Sequence, residues 1–343
     1  MENEKEQVSI ILPVYNVSEY LERCLNSILN QTYISIEIIA VNDGSTDSSL
    51  EILEKYKKID SRINIVSKPN GGLMSAWLEG LKYATGNLIT FVDSDDWIDK
   101  DYIEKMHDVM CSSGADMVVL SYQEEWNDGT QKIIHNQLES GLYQMNSKVF
   151  SRIINYDGGY RNRGAVINRW GKLMRRELIQ NNIGYCDSSI SYGEDVNIMI
   201  PAFGSAKSIY ILDEALYHYR MNQKSITHSY IRNMKDQVDT LYEKIKCYTK
   251  DTNQPENVLN AIKLDYLSLI ICCMRNEAKN KNVLIGTRKI MEEYMDDKWE
   301  NVVYTTSINN FSFINRMLIN GLKKKSITLI TCLLIVVKIR GNY

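Results

Sequence analysis

Four short apolar runs, each separated from the next by a stretch with helical periodicity, constrain this chain more than any other feature. Val8 to Leu12 is an apolar run halted by Pro13, the pattern of a buried strand. Ser18 is placed to cap a helix that sets Leu21, Leu25, Ile28 and Leu29 at helical spacing. Ile36 to Val41 is the second run, ended by the turn residues Asn42-Asp43-Gly44. Asp47 then caps a helix holding Leu50, Ile52 and Leu53, and Ile63 to Val66 follows as the third run. Asn70-Gly71-Gly72 opens a helix to about Ala84 that Gly86 closes. The fourth run, Leu88 to Val92, leads straight into Asp93-Ser94-Asp95-Asp96. Strands separated by helices of this length make βαβ units and a parallel sheet.

Ligands of such sheets bind beyond the carboxyl ends of the strands. The polar clusters Tyr15-Asn16, Asn42-Asp43, Lys68 to Asn70 and Asp93 to Asp95 all fall there. Further along, Asp116 to Tyr122, Ser208 to Leu212 and Ala215 to Tyr219 read as strands, and Gly193-Glu194-Asp195 opens an amphipathic helix through Phe203. From about Tyr230 the pattern is helical to the end.

Composition narrows the function classes. With 44% hydrophobic and 24% charged residues in 343, the chain suits a packed core rather than disorder. A formal net charge of -3 gives no electrostatic case for nucleic acid as a partner. Seven cysteines, an odd number with no C-x-x-C pair, read as reduced thiols rather than a disulfide framework or a zinc site. The charged start, Met1 to Gln7, has no apolar signal region, so the expected compartment is the cytoplasm. Pro13-Val14-Tyr15-Asn16 stands where a dinucleotide oxidoreductase would carry G-x-G-x-x-G.

Two closely spaced carboxylates at a strand end, Asp93 and Asp95, suit a hard divalent cation such as Mg²⁺ or Mn²⁺, which in turn bridges diphosphate oxygens. The alternative is that Asp93 and Asp96 only shape the turn. Asp43 is placed to accept from a base N–H. Tyr15 either stacks on that base or packs. Glu194 and Asp195, in a first helical turn, serve either catalysis or the helix dipole. His218 reads as a structural residue before a ligand.

The words, order and spacing of Val8-Ser9-Ile10-Ile11-Leu12-Pro13-Val14-Tyr15-Asn16, Val41-Asn42-Asp43-Gly44-Ser45-Thr46-Asp47, Asn70-Gly71-Gly72 and Phe91-Val92-Asp93-Ser94-Asp95-Asp96-Trp97 resemble the family 2 glycosyltransferases of the GT-A fold. The resemblance implies an α/β fold, a Rossmann-like, mostly parallel sheet flanked by helices, followed here by a helical C-terminal region. It implies that Pro13, Tyr15, Asn16 and Asp43 hold the nucleobase side of the donor, with Asn70 and Gly72 facing the nucleotide. Asp93 would contact ribose or metal-bound groups, and Asp95 of the D-x-D would bind the metal. Asp195 of the acidic pair Glu194-Asp195 would be the general base. Tyr217 to Ile226 looks like the family's late loop, in which Arg220 and Lys224 meet phosphate charge. Asn168 to Leu173 resembles a segment on the acceptor side, which singles out Trp170 and Lys172. One departure stands out: where many relatives carry Ala-Arg-Asn, this chain reads Ala76-Trp77-Leu78.

The expected protein is therefore an inverting, metal-dependent transferase of hexosyl type. Its donor is expected to be a nucleotide-diphosphate sugar, UDP-linked, and its acceptor a hydroxyl of a glycan or lipid-linked glycan in surface polysaccharide synthesis. The alternative is a catalytically silent nucleotide-binding module that acts through interactions. Residues 1–228 are expected to form the catalytic domain and 229–343 a helical region. Ile327 to Val337 is apolar and framed by Lys323 to Lys325 and by Lys338 and Arg340. It is too short to span a bilayer and fits the headgroup layer of an anionic membrane, giving a peripheral association. Burial on the core or against a partner chain is the competing placement.

Overall fold

Strand and helix alternate from the start of the chain, as the apolar runs require. β1 (Val8–Val14), α1 (Ser18–Leu29), β2 (Ile36–Asn42), α2 (Ser49–Ile59), β3 (Ile63–Ser67), α3 (Leu73–Leu81) and β4 (Leu88–Phe91) come first. Then follow β5 (Trp97–Ile98), α4 (Tyr102–Ser113), β6 (Met117–Leu120), β7 (Tyr122–Trp126), β8 (Gln131–Ile134) and β9 (Gly141–Gln144). Next are α5 (Ser147–Ile154), β10 (Lys172–Arg175), α6 (Glu177–Gln180), α7 (Glu194–Ser205), β11 (Ser208–Leu212) and β12 (Tyr217–Met221). The remainder is α8 (Met234–Asp251), α9 (Glu256–Ala278), α10 (Val283–Lys289), α11 (Asp297–Thr305), α12 (Phe313–Lys323) and α13 (Ile327–Ile339). This computed structural model describes residues 6–159, 161–221, 230–279 and 282–340.

Two compact units result. One takes residues 1–145 and 165–222, the other 146–164 and 223–343. A single cut at residue 228 therefore misses one exchange: α5 lies within the first stretch of sequence but packs on α9.

In the first unit the large sheet runs β3-β2-β1-β4-β10-β6-β11-β9. β1 to β4 are parallel, while β10 enters antiparallel between β4 and β6. β5-β12-β7-β8 form a smaller sheet. β1 does not stop before Pro13 but continues to Val14. Its pairing with β4 ends at Ile11–Phe91, so the proline ring lies past that ladder and no bond is lost there. Ile10, Ile38 and Val118 of the sheet share one core with Leu21, Leu25 and Ile28 of α1 and Met106 of α4. Burial of each such side chain contributes roughly 1.5–3 kcal/mol.

The expected cap at Ser18 is replaced by a carboxylate from another segment. Asp47 Oδ2 accepts from Ser18 N at 3.0 Å and its Oδ1 from Ser49 N at 3.0 Å, so one residue serves the first turns of α1 and α2. These hydrogen bonds hold the Asp47 carboxyl down at about 2, outweighing its partial desolvation.

In the second unit α9 is the central helix, touched by α5, α8, α10, α11, α12 and α13. From Asp265 to Ala278 it is buried nearly all round, the polar Asp265, Ser268, Asn276 and Glu277 included. By length and composition α9 also passes the test for a membrane span, which the core helix of a folded unit does equally.

Candidate active site

β4 delivers Asp93 to Asp96 to the carboxyl edge of the sheet, and β12 fixes the turn. Asp93 N donates to Tyr217 Oη at 3.1 Å, and that hydroxyl donates to Asp96 Oδ2 at 2.7 Å. Asp96 Oδ1 accepts from Arg220 N at 2.8 Å, and Arg220 Nε donates to the Asp95 carbonyl at 2.8 Å. Asp96 is 1% exposed and raised well above the carboxylate range by burial, with Asp95 adding to it. It supports the turn from behind.

Two chain segments meet through Arg169. The guanidinium, 1% exposed, donates to Asp195 Oδ1 and to Asp93 Oδ1. Asn168 Nδ2 lies 3.4 Å from Asp195 Oδ2. Burial pushes the Asp93 carboxyl up, to about 6, against the pull of Arg169. Burial, with Asp195 adjacent, pushes Glu194 up to about 7. Gly193, at φ +87°, supplies the left-handed residue that starts α7 and sets this acidic pair.

Asp95 differs from its neighbours. Its carboxylate makes no ion pair among the described residues, and burial raises it above its usual range. A divalent cation would relieve that desolvation, so the residue fits the expected metal. Asp93, expected as a second ligand, is instead held by Arg169. Among the described residues no three His, Cys, Asp or Glu side chains form a cage for an ion. One or two carboxylates completed by substrate phosphates are the usual arrangement for Mg²⁺.

The nucleotide edge is built by loop-to-loop bonds. Asp43, 2% exposed, accepts from Lys68 Nζ at 2.5 Å, Gly71 N at 3.0 Å and Gly72 N at 2.8 Å. Both oxygens thus clamp the Lys68–Gly72 loop rather than standing open for a base. Gly44, at φ +72°, lets that loop approach: a Cβ there would lie 2.8 Å from Asn70 N. Asn16 Oδ1 accepts from Thr46 N at 2.8 Å, tying the β1 loop to the β2 loop. Tyr15 is 51% exposed above Pro13, and Asn70 and Gly72 are exposed beside the clamp. Arg220 lies 4.5 Å over the Tyr20 ring and Arg23 3.2 Å over Trp97, bringing two cations to the Asp95 side of the edge. His218 is held between Glu125 at 2.8 Å and Asp99 at 3.2 Å, a structural position.

Trp170 and Lys172, expected on the acceptor side, present no surface to an acceptor. Trp170 is buried in a stack 4.4 Å from Tyr217. Lys172 is fully buried, donates to the carbonyls of Asn168 and Trp170, and is pushed by burial down to about 7. The residue of that segment that enters the site is Arg169, whose signal in the sequence was only its place beside Asn168. Lys68 and Tyr217 were named only as the first residues of a polar cluster and of the late loop, with no role of their own. Lys224 lies outside the described residues. Trp77 is fully buried, edge-on to Phe91 at 6.1 Å, so the position of the relatives' arginine has become core.

Residues 9–181 match the sequence profile of Glycosyl transferase family 2. The chain is 34% identical over 248 residues to Glycosyltransferase GlyA of Streptococcus pneumoniae, which is 70% of this chain but only 34% of GlyA's length. It is 32% identical over 294 residues to EpsH of Bacillus subtilis, covering 84% of this chain and 81% of EpsH. Among solved structures, S. aureus TarS 1-349 in complex with UDP-GlcNAc matches with a TM-score of 0.65 at 18% identity, over 98% of this chain and 93% of that one. At that identity the likeness is one of fold.

Proposed function

The chain belongs to the family 2 glycosyltransferases, and from that premise we propose that it moves a hexosyl group from a nucleotide-diphosphate donor to a hydroxyl of a glycan or lipid-linked glycan in surface polysaccharide synthesis, with inversion. The observation that carries this reading is the bridge Asp93–Arg169–Asp195, which holds a carboxylate from α7 beside the strand-end turn where Asp95 stands unpaired. A UDP-linked donor is favoured by the UDP-GlcNAc complex of the structurally similar TarS.

Asp195 is the proton acceptor for the attacking hydroxyl, a role worth typically 10²–10⁴-fold. Arg169 occupies its Oδ1, which leaves Oδ2, with only the long contact to Asn168 among the described residues, for the proton. Asp95 holds the cation, and Mn²⁺ or Mg²⁺ bound there supplies Lewis-acid stabilisation of the departing diphosphate. Arg220 adds positive charge on the same side. Asp43 keeps the Lys68–Gly72 loop in place for the nucleotide, and Tyr15 offers an exposed ring. A single displacement by the acceptor inverts the anomeric carbon. The reading places the enzyme in the cytoplasm, at the periphery of the membrane through its helical unit.

The test is release of nucleotide diphosphate from a panel of nucleotide sugars with Mn²⁺. Release by the wild type should fall by about 10²-fold or more in both Asp95→Ala and Asp195→Ala. Equal behaviour of all three proteins overturns the enzyme in favour of a nucleotide-binding module.

A further inference from the structure

The helical unit turns apolar side chains outward on two neighbouring helices. α13 buries Ile330, Leu334 and Val337, yet on its other side Cys332, Ile335, Val336 and Ile339 recur at helical spacing and are exposed. α10 packs on α13, with Thr331 Oγ1 3.0 Å from Thr287 Oγ1, and it exposes Leu284 and Ile285, the latter at 62%. Both helices lie on α9. Aliphatic side chains left in water on adjacent helices mark a surface that something covers.

Charge identifies the occupant. After Glu300, which pairs with Lys325 at 2.7 Å, the sequence has no carboxylate side chain, while Arg316, Lys323, Lys324, Lys338 and Arg340 are all cationic. The whole chain is nevertheless net -3. Arg288, exposed on α10, adds to this set, while Glu292 and Glu293 stand exposed in the helical turn Ile290–Tyr294 that directly continues α10. An apolar stripe framed by cations complements a surface with an apolar interior and anionic headgroups.

We propose that the outward face of α10 and α13 together, rather than the terminal helix alone, docks the protein on an anionic lipid bilayer. This deepens the peripheral-membrane part of the proposed function and does not depend on the transfer chemistry. The full chain is sedimented with vesicles of phosphatidylglycerol and phosphatidylcholine, and with phosphatidylcholine alone. Wild type should bind the anionic vesicles and be released by salt. The double variant Ile335→Glu, Ile339→Glu and the single variant Ile285→Glu should each bind at least about tenfold more weakly. Circular dichroism should show both still folded, and nucleotide release without vesicles should stay at the wild-type level. No preference for anionic vesicles overturns the proposal, as does a dimer in light scattering that the double variant dissociates. Loss in the double variant with full binding in Ile285→Glu overturns the shared surface. Binding without any nucleotide release would instead remove the transferase and leave the docking face standing.

Discussion

Arg169 grips Asp195 twice, from Nη1 at 2.8 Å and from its own backbone N–H at 3.2 Å, and both bonds end on the same carboxylate oxygen. A side chain held so cannot turn its second oxygen away without breaking a buried, charge-assisted bond. The orientation of the proposed base is thereby set by a residue that need not touch the substrate. Arg169→Ala should lower the unfolding free energy by roughly 3–5 kcal/mol, because two carboxylates lose their buried partner. Arg169→Lys keeps the charge but not the fork. It should remain folded and lose kcat while the donor KM changes little, since the Asp43 clamp is untouched. Urea titrations and steady-state kinetics read the two effects, and a wild-type kcat in Arg169→Lys removes the positioning role.

Glu194 makes a pH prediction whose sign follows from burial. Burial raises its carboxyl from the ordinary 4.5 to about 7. Between those values the folded protein keeps a proton that the unfolded chain releases. Stability contributed at this residue is therefore present at low pH and falls as pH rises through 7. Glu194→Gln is neutral at every pH and should raise Tm relative to wild type at pH 8 but not at pH 4. An equal difference at the two pH values would contradict the assignment.

The acidic edge was legible because it depends on local pattern. An apolar run long enough for a strand, followed at once by Asp93-Ser94-Asp95, puts those residues at a sheet edge whatever the rest of the chain does. Arg169 was not legible in the same way. Its position depends on β10 entering antiparallel between β4 and β6, a pairing no local periodicity announces. Asn168 to Leu173 was expected on the acceptor side, yet tertiary stacking on Tyr217 draws Trp170 inside. Ser18 lost its capping role to Asp47, 29 residues away. α5 joined the second unit because its apolar face found α9 across a gap in sequence that no neighbour rule bridges.

That shared cap is itself testable. Asp47→Ala leaves the first turns of α1 and α2 each without a carboxylate acceptor, and should destabilise the protein by about 1–2 kcal/mol at neutral pH. The folded carboxyl sits at about 2 against 3.8 ordinarily, so its contribution is present above pH 4 and lost as pH falls toward 2. Urea unfolding at pH 6 and pH 3 should show the gap between wild type and variant narrowing in acid. A constant gap would assign the loss to something other than the cap.

Trp77 separates a family contact from a core position. Its indole is fully buried against Phe91, and Nε1 has no hydrogen-bond partner among the described residues. Trp77→Phe forfeits no hydrogen bond and keeps an aromatic ring, so it should cost less than about 2 kcal/mol through the volume lost. Trp77→Arg restores the residue type of many relatives but drives a guanidinium into apolar surroundings, and should lose about 4 kcal/mol or more. Thermal unfolding of the two variants decides the matter. A folded Trp77→Arg protein that binds donor more tightly would show that this position still faces the nucleotide sugar.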